Sequence, residues 1–250
     1  MFFLINCCNG FLETSHKMLI KSALEHIFNH DLADLWNLLS PDEKRLLADN
    51  FAIRQFKKNQ IIYAENDEPE FLWCLIKGKV KKYKLGIGER IQILKLYRPV
   101  QFFGYRAYFA NEKYVSSAAA FEPSVIGCIH LDIVERMIKE NNGLAMFFIR
   151  ELSRDLGGSD TKIVNLTQKH IRGRLAESLL ILLENYGLED DNATLKIYMS
   201  REDLANLSNM TTSNAIRTLT AFVAEKLIVV DGRRIKIINE RQLRSISKFG

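Results

Sequence analysis

The sequence predicts an α+β chain with an antiparallel β-roll in its N-terminal half. A long central helix follows, then a compact C-terminal unit of short helices closed by a hairpin. Three observations carry this reading. Short apolar segments of period two, split by turn signals, follow Phe51. A three-four spacing, apolar except at Ser159, runs from Ala145 to Leu166. Two short helical patterns then precede Asp231-Gly232, which is flanked by β-branched residues.

Composition bounds the rest. With 250 residues, 47% hydrophobic and 26% charged, the chain is expected to fold rather than remain disordered. The net charge of +5 favours an anionic partner. The excess is concentrated: Asn192 to Gly250 holds ten Lys/Arg against five Asp/Glu, just after an acidic patch at Glu184, Glu189, Asp190 and Asp191. Cys7, Cys8, Cys74 and Cys128 make no CxxC, so neither a zinc site nor a cysteine-ligated cluster is supported and no metal is expected. They read as reduced thiols in a cytoplasmic protein. Leu4-Ile5-Asn6-Cys7 faintly echoes a lipoprotein cleavage site but lacks a basic region before it, so export is not expected. Residues 1–20 read as an extension, with 1–17 non-native if Met18 opens the protein. No stretch reaches the roughly 18 apolar residues of a membrane span.

From Lys21 to Leu47, Leu24, Ile27, Phe28, Leu32, Leu35, Leu38 and Leu39 recur at helical spacing. Ser40-Pro41-Asp42-Glu43 is a helix start in which Ser40 caps and Glu43 completes a capping box. Strands are expected at Ile61–Ala64, Phe71–Ile76, Lys79–Leu85, Arg90–Leu96, Val115–Ala120 and Val125–Ile129. Helical periodicity returns at Leu131. Ile149, Leu152, Leu156, Ser159, Ile163 and Leu166 form a heptad seam, which suits either a pairing helix or an amphipathic helix lying on its own domain. Gly157-Gly158 is a soft point beside that seam, allowing close helix approach or a bend.

A further helix is expected from Ile171 to Tyr186, then a short strand at Thr194–Met199. Ser200-Arg201-Glu202-Asp203 opens a helix, Asn209-Met210-Thr211 breaks it, and Thr212 to Glu225 forms the next. With the terminal hairpin this is the order of a winged helix-turn-helix. Ala215, Ile216, Leu219 and Phe222 are expected to be the buried face of the second helix. Arg201, Thr211, Thr212, Ser213, Asn214, Arg217, Arg233 and Arg234 are the candidates for contacts to phosphates and base edges. The alternative is a winged helix used only for protein contacts.

These motifs stand in the order of the cAMP receptor protein/FNR superfamily, which the chain resembles from about Ser40 to Leu243. Trp73-Cys74-Leu75-Ile76-Lys77-Gly78-Lys79-Val80 is similar to the family's strand–turn–strand, and Phe102-Phe103-Gly104 to the start of its phosphate-binding cassette. Ile171-Arg172-Gly173-Arg174-Leu175-Ala176 resembles the opening of its DNA-binding domain. Ser200–Ala205 and Met210–Arg217 resemble its two DNA-facing helices. The resemblance implies a cyclic-nucleotide-binding-like roll and a bacterial homodimer on double-stranded DNA. It implies RNA polymerase as a partner if the protein activates.

It also implies an effector pocket at Gly104, Tyr105, Arg106, Ser116, Ser117, Ser159 and Asp160. The departures argue against cAMP. Cyclic-nucleotide binders carry a glutamate after the cassette glycine and later an arginine for the phosphate. Here Tyr105 follows Gly104, and Tyr114-Val115-Ser116-Ser117 offers no arginine. The family's iron–sulfur cysteines are absent, and His130 and His170 make no recognisable haem pair, so no cofactor is required and the effector is unassigned. The domain expectation is a β-roll over 21–141, a dimerisation helix over 142–168 and a winged helix over 169–250. Two other readings remain: a ligand-binding or scaffolding module that does not bind DNA, and an enzyme, for which no nucleophile–base motif or Gly-rich nucleotide loop is present.

Overall fold

The computed structural model describes residues 33–249. The expected extension over 1–20, and Leu24, Ile27, Phe28 and Leu32, lie outside them. Among the described residues the chain forms two compact units, 33–81 with Tyr97–Ser153, and Lys82–Leu96 with 154–249.

The described chain opens with α1 (Ala33–Leu38) and α2 (Pro41–Asn50). The capping box at Ser40 is formed: Glu43 N–H donates to Ser40 Oγ at 3.2 Å and Ser40 N–H donates to Glu43 Oε2 at 2.6 Å. β1 (Ala52–Phe56), β2 (Ile61–Tyr63), β3 (Phe71–Lys77), β4 (Val80–Leu85), β5 (Ile91–Tyr97), β6 (Phe102–Phe103), β7 (Ser117–Ala120) and β8 (Ser124–His130) follow, with the short helix α3 (Tyr105–Phe109) before β7. They make two four-stranded sheets, ordered β1-β8-β3-β6 and β2-β7-β4-β5.

β3 separates two cores, because alternate side chains of a strand point to opposite faces. Leu72 and Cys74 enter a cluster with Leu35, Leu39, Leu131 and Phe148, while Trp73 and Leu75 enter a cluster with Phe56, Tyr63, Tyr97 and Phe103. A strand covered on both faces reads as a continuous apolar run, as Phe71–Ile76 does. Burial pushes the Cys74 thiol up to about 12. Cys74 and Cys128 are free and buried, as expected, whereas Cys7 and Cys8 lie outside the described residues.

α4 (Leu131–Glu140) leads into α5 (Asn142–Gln168), which runs unbroken through Gly157-Gly158. Nothing lies within 4 Å of a Cβ built on either glycine, so neither makes room for a neighbour within this chain. In the second unit, α6 (Ile171–Tyr186) is followed by α7 (Arg201–Leu207), α8 (Thr212–Ala224), β9 (Ile228–Asp231), β10 (Arg234–Ile237) and α9 (Glu240–Phe249). α9, which the sequence reading lacks, packs on α6 through Leu243 and Ser247.

The strand expected at Thr194–Met199 reduces to isolated bridges, Leu188 to Leu195 and Thr194 to Lys236. The segment is held through Asp191 instead. Its carboxylate accepts from Thr194 N–H at 2.8 Å, from Thr194 Oγ1 at 2.7 Å and from Ala193 N–H at 3.1 Å. With Lys236 3.0 Å away, these bonds keep Asp191 well below the usual carboxylate range. One residue of the acidic patch thus anchors the hairpin strand β10.

Candidate nucleic-acid interface and effector region

The helix-turn-helix is built from two capped helices and a tight break. Ser200 caps α7, accepting from Asp203 N–H at 3.0 Å, and Asp203 Oδ2 reaches back to Ser200 N–H in a second capping box. Asn209 takes a positive φ of 50°, and Met210 N–H donates to Ala205 O at 3.0 Å, which turns the chain through the break. Arg174 of α6 braces the break by donating to Asn209 O at 2.8 Å, and a buried Ser208–Ser178 bond of 2.8 Å ties it to the same helix.

Thr211 caps α8, its Oγ1 accepting from Asn214 N–H at 3.3 Å. The buried side of α8 is Ala215, Thr218, Leu219 and Phe222. Thr218 therefore takes the place expected for Ile216, which is 48% exposed. Buried positions follow the helix period of i, i+3, i+4 and i+7, whatever the polarity of the residue there.

The outward side carries the expected contact residues. Thr211, Thr212, Ser213 and Arg217 are exposed, Asn214 is half-buried, and Arg201, the first residue of α7, is also half-buried. Arg217 Nη2 donates to Asn214 Oδ1 at 2.7 Å, which orients the guanidinium along the helix. The hairpin turn lies one residue later than Asp231-Gly232. Asp231 pairs with Arg234, so Gly232, at φ +55°, and Arg233 form the turn. Arg233 stands at the tip, and Arg234 lies in β10 with its guanidinium 5.5 Å over the Tyr198 ring.

The candidate effector residues of the first unit have separate surroundings. Gly104, at φ +89°, has no room for a side chain: an added Cβ would lie 2.6 Å from Trp73 Cδ1 and 3.2 Å from Tyr114 Oη. Tyr105 turns to the other core, its ring 5.2 Å from Phe148. Arg106 pairs with Glu112 at 3.1 Å and is nearly half exposed. Ser117 Oγ accepts from Glu65 N–H at 2.9 Å, and Ser116 is buried. Ser159 and Asp160 belong to the second unit, exposed on α5, where Ser159 Oγ donates to Asp155 O at 2.8 Å.

The inside of the roll is filled with rings. Tyr63 stacks on Tyr114 at 3.8 Å between centroids, and Tyr97 on Phe103 at 4.9 Å. Burial raises the Tyr114 hydroxyl to about 12 and pushes Tyr63 higher still. Among the described residues no group of His, Cys, Asp and Glu could hold a metal ion. No described helix is long and apolar enough to cross a membrane.

A β-roll, a long helix and a winged helix-turn-helix define a class of two-part DNA-binding regulators. Comparison with known proteins agrees. Residues 53–141 match the family model for a cyclic nucleotide-binding domain, and residues 173–246 match that for a Crp-like helix-turn-helix domain. The chain is 27% identical over 189 residues to the global nitrogen regulator of Nostoc sp., covering 74% of this chain and 84% of that one. It is 26% identical over 182 residues to the regulatory protein HlyX of Actinobacillus pleuropneumoniae, covering 72% and 75%. In fold it is similar to a Crp/Fnr-family regulator from Eubacterium rectale, at TM-score 0.72 and 19% identity over 86% of this chain and 97% of that one. The chain belongs to the Crp/Fnr family of DNA-binding transcription regulators.

Proposed function

We propose that this regulator acts in the cytoplasm as a homodimer that reads a two-fold symmetric duplex site, placing one α8 in the major groove of each half-site. The observation that carries the reading is the outward side of α8. Thr212, Ser213 and Arg217 are exposed there, while Ala215, Leu219 and Phe222 lock the opposite side into the core. Short hydroxyls and one oriented arginine can hydrogen-bond both phosphates and base edges. Arg201 and Thr211, near helix starts, and Arg233 at the hairpin tip are assigned to phosphates. RNA polymerase is the further partner if the outcome is activation.

The dimer is supported by α5. Ile149, Leu156 and Ile163, seven residues apart, are 52%, 65% and 60% exposed in the single chain. Such a stripe is costly in water and fits a second copy of the same helix. Leu152 and Leu166 on the same seam are half-buried, and Ser159 is exposed.

The effector is assigned to a class other than cAMP. The ring-filled roll and the engagement of Arg106 by Glu112 support this, because a cyclic phosphate would need a free cation and a cavity. Titration of duplex DNA at several salt concentrations tests the DNA reading: affinity should fall steeply with salt. Calorimetry with cAMP tests the second part, where no binding is expected and micromolar binding would contradict it.

A further inference from the structure

We propose that Ile216 reads sequence directly, by taking the C5-methyl group of a thymine in the major groove. The proposal deepens the reading above and rests on α8 facing DNA. Ile216 is a branched apolar residue outside the buried stripe of Ala215, Thr218, Leu219 and Phe222, and nearly half of it is exposed. Residues three and four apart share a helix face. Ile216 therefore lies beside Thr212, Ser213 and Thr220 on the outward side of α8, with Arg217 the next residue along the chain.

Its neighbours divide the work. Arg217 is oriented by Asn214 and can fork onto a guanine edge. Thr220 Oγ1 donates to Ile216 O at 3.0 Å, so this hydroxyl proton is held by the helix rather than offered outward. Ile216 has no hydrogen-bonding group. The apolar feature that base pairs present in the major groove is the thymine methyl, and a branched aliphatic side chain is its complement. An idle surface isoleucine is the opposing outcome, since scattered apolar residues are ordinary on protein surfaces.

The test uses the full-length protein. Duplexes retained from a random pool define the half-site, and each thymine in it is then replaced by deoxyuridine, which removes the C5-methyl alone. One such replacement per half-site should weaken wild-type binding roughly three- to fivefold, the scale of one buried methyl group. Ile216→Ala should bind the thymine duplex weaker by a similar factor and be indifferent to the replacement at that position. Circular dichroism should show it folded, because an exposed Ile→Ala change in a helix is favourable to the helix. Half-sites insensitive to every replacement, or an Ile216→Ala protein that keeps the full uridine penalty, would overturn the assignment. Retention of no duplex at all would instead remove the reading of α8 as the DNA-facing helix, and this inference with it.

Discussion

Arg172, at the start of α6, and Glu225, the C-cap of α8, close a two-pronged ion pair: Nη1 lies 2.8 Å from Oε1 and Nη2 lies 2.7 Å from Oε2. The Arg172 guanidinium also sits 5.0 Å over the ring of Phe222, on the buried side of α8. One residue thus seats the far end of the helix that carries the contact face. The pair is 41% and 45% exposed, so its charge energy is that of a surface bridge, about 0.5–1 kcal/mol. Replacing Arg172 by lysine loses the fork and should cost about that much. Arg172→Ala also strips the stem from Phe222 and should cost about 1–2 kcal/mol in chemical denaturation. An unchanged denaturation midpoint for Arg172→Ala would show that α8 is seated without it.

The stripe on α5 makes a second prediction. Leu156→Glu or Ile163→Glu places a charge where two helices are expected to meet, and an unpaired buried charge costs several kcal/mol. Both residues are exposed in the single chain, so the monomer fold should survive. Sedimentation should show monomers, and tight DNA binding should fall with the dimer. Intact dimers for both variants would place the interface elsewhere.

Much of this fold is legible in the sequence where a local rule has one outcome. The capping box at Ser40, the helix start at Ser200, the long α5 and the hairpin after Leu227 all form. What escaped has physical reasons. β1 (Ala52–Phe56) pairs with β8 alone, and an edge strand tolerates Arg54 and Gln55, so its alternation is masked. β6 is two residues long, below any periodic signal. Ile216 reads as buried because apolar identity outweighs helical phase, and that phase puts Thr218 inside and Ile216 outside. The exposed start of α8 was legible because short polar residues cluster at a capped helix start. The neighbours of Tyr105 and Arg106 were not legible, because Phe148 is distant in sequence and no pattern signals the pairing with Glu112.

Lys162 on α5 makes a prediction about pH. Its ammonium donates to Ile93 O at 2.9 Å and Leu94 O at 2.8 Å on β5, and among the described residues no carboxylate is bonded to it. Burial lowers its pKa to about 8, with Lys82 adding to the effect. The unfolded chain holds this proton up to about 10.4. Between these values the unfolded state binds more protons, so stability should rise as pH increases through the window from about 8 to about 10.4. Below about 8 both states carry the charge and the buried cation remains a burden. Lys162→Met should flatten that part of the profile relative to wild type. Identical slopes for the two proteins in denaturant titrations from pH 7.5 to 10.5 would refute the assignment.

The central claim is that the outward side of α8 reads DNA sequence, with Arg217 as its main hydrogen-bonding reader. Random duplexes should be selected in parallel on wild type, Arg217→Ala and Arg201→Ala, and the retained pools sequenced. Wild type should return a two-fold symmetric motif. Arg217→Ala should bind about 1–3 kcal/mol more weakly and lose preference at one base pair in each half-site, whereas Arg201→Ala should weaken all duplexes alike and lower the salt slope by about one ion. A wild-type pool without a motif, or the same motif at full strength from Arg217→Ala, would contradict the account.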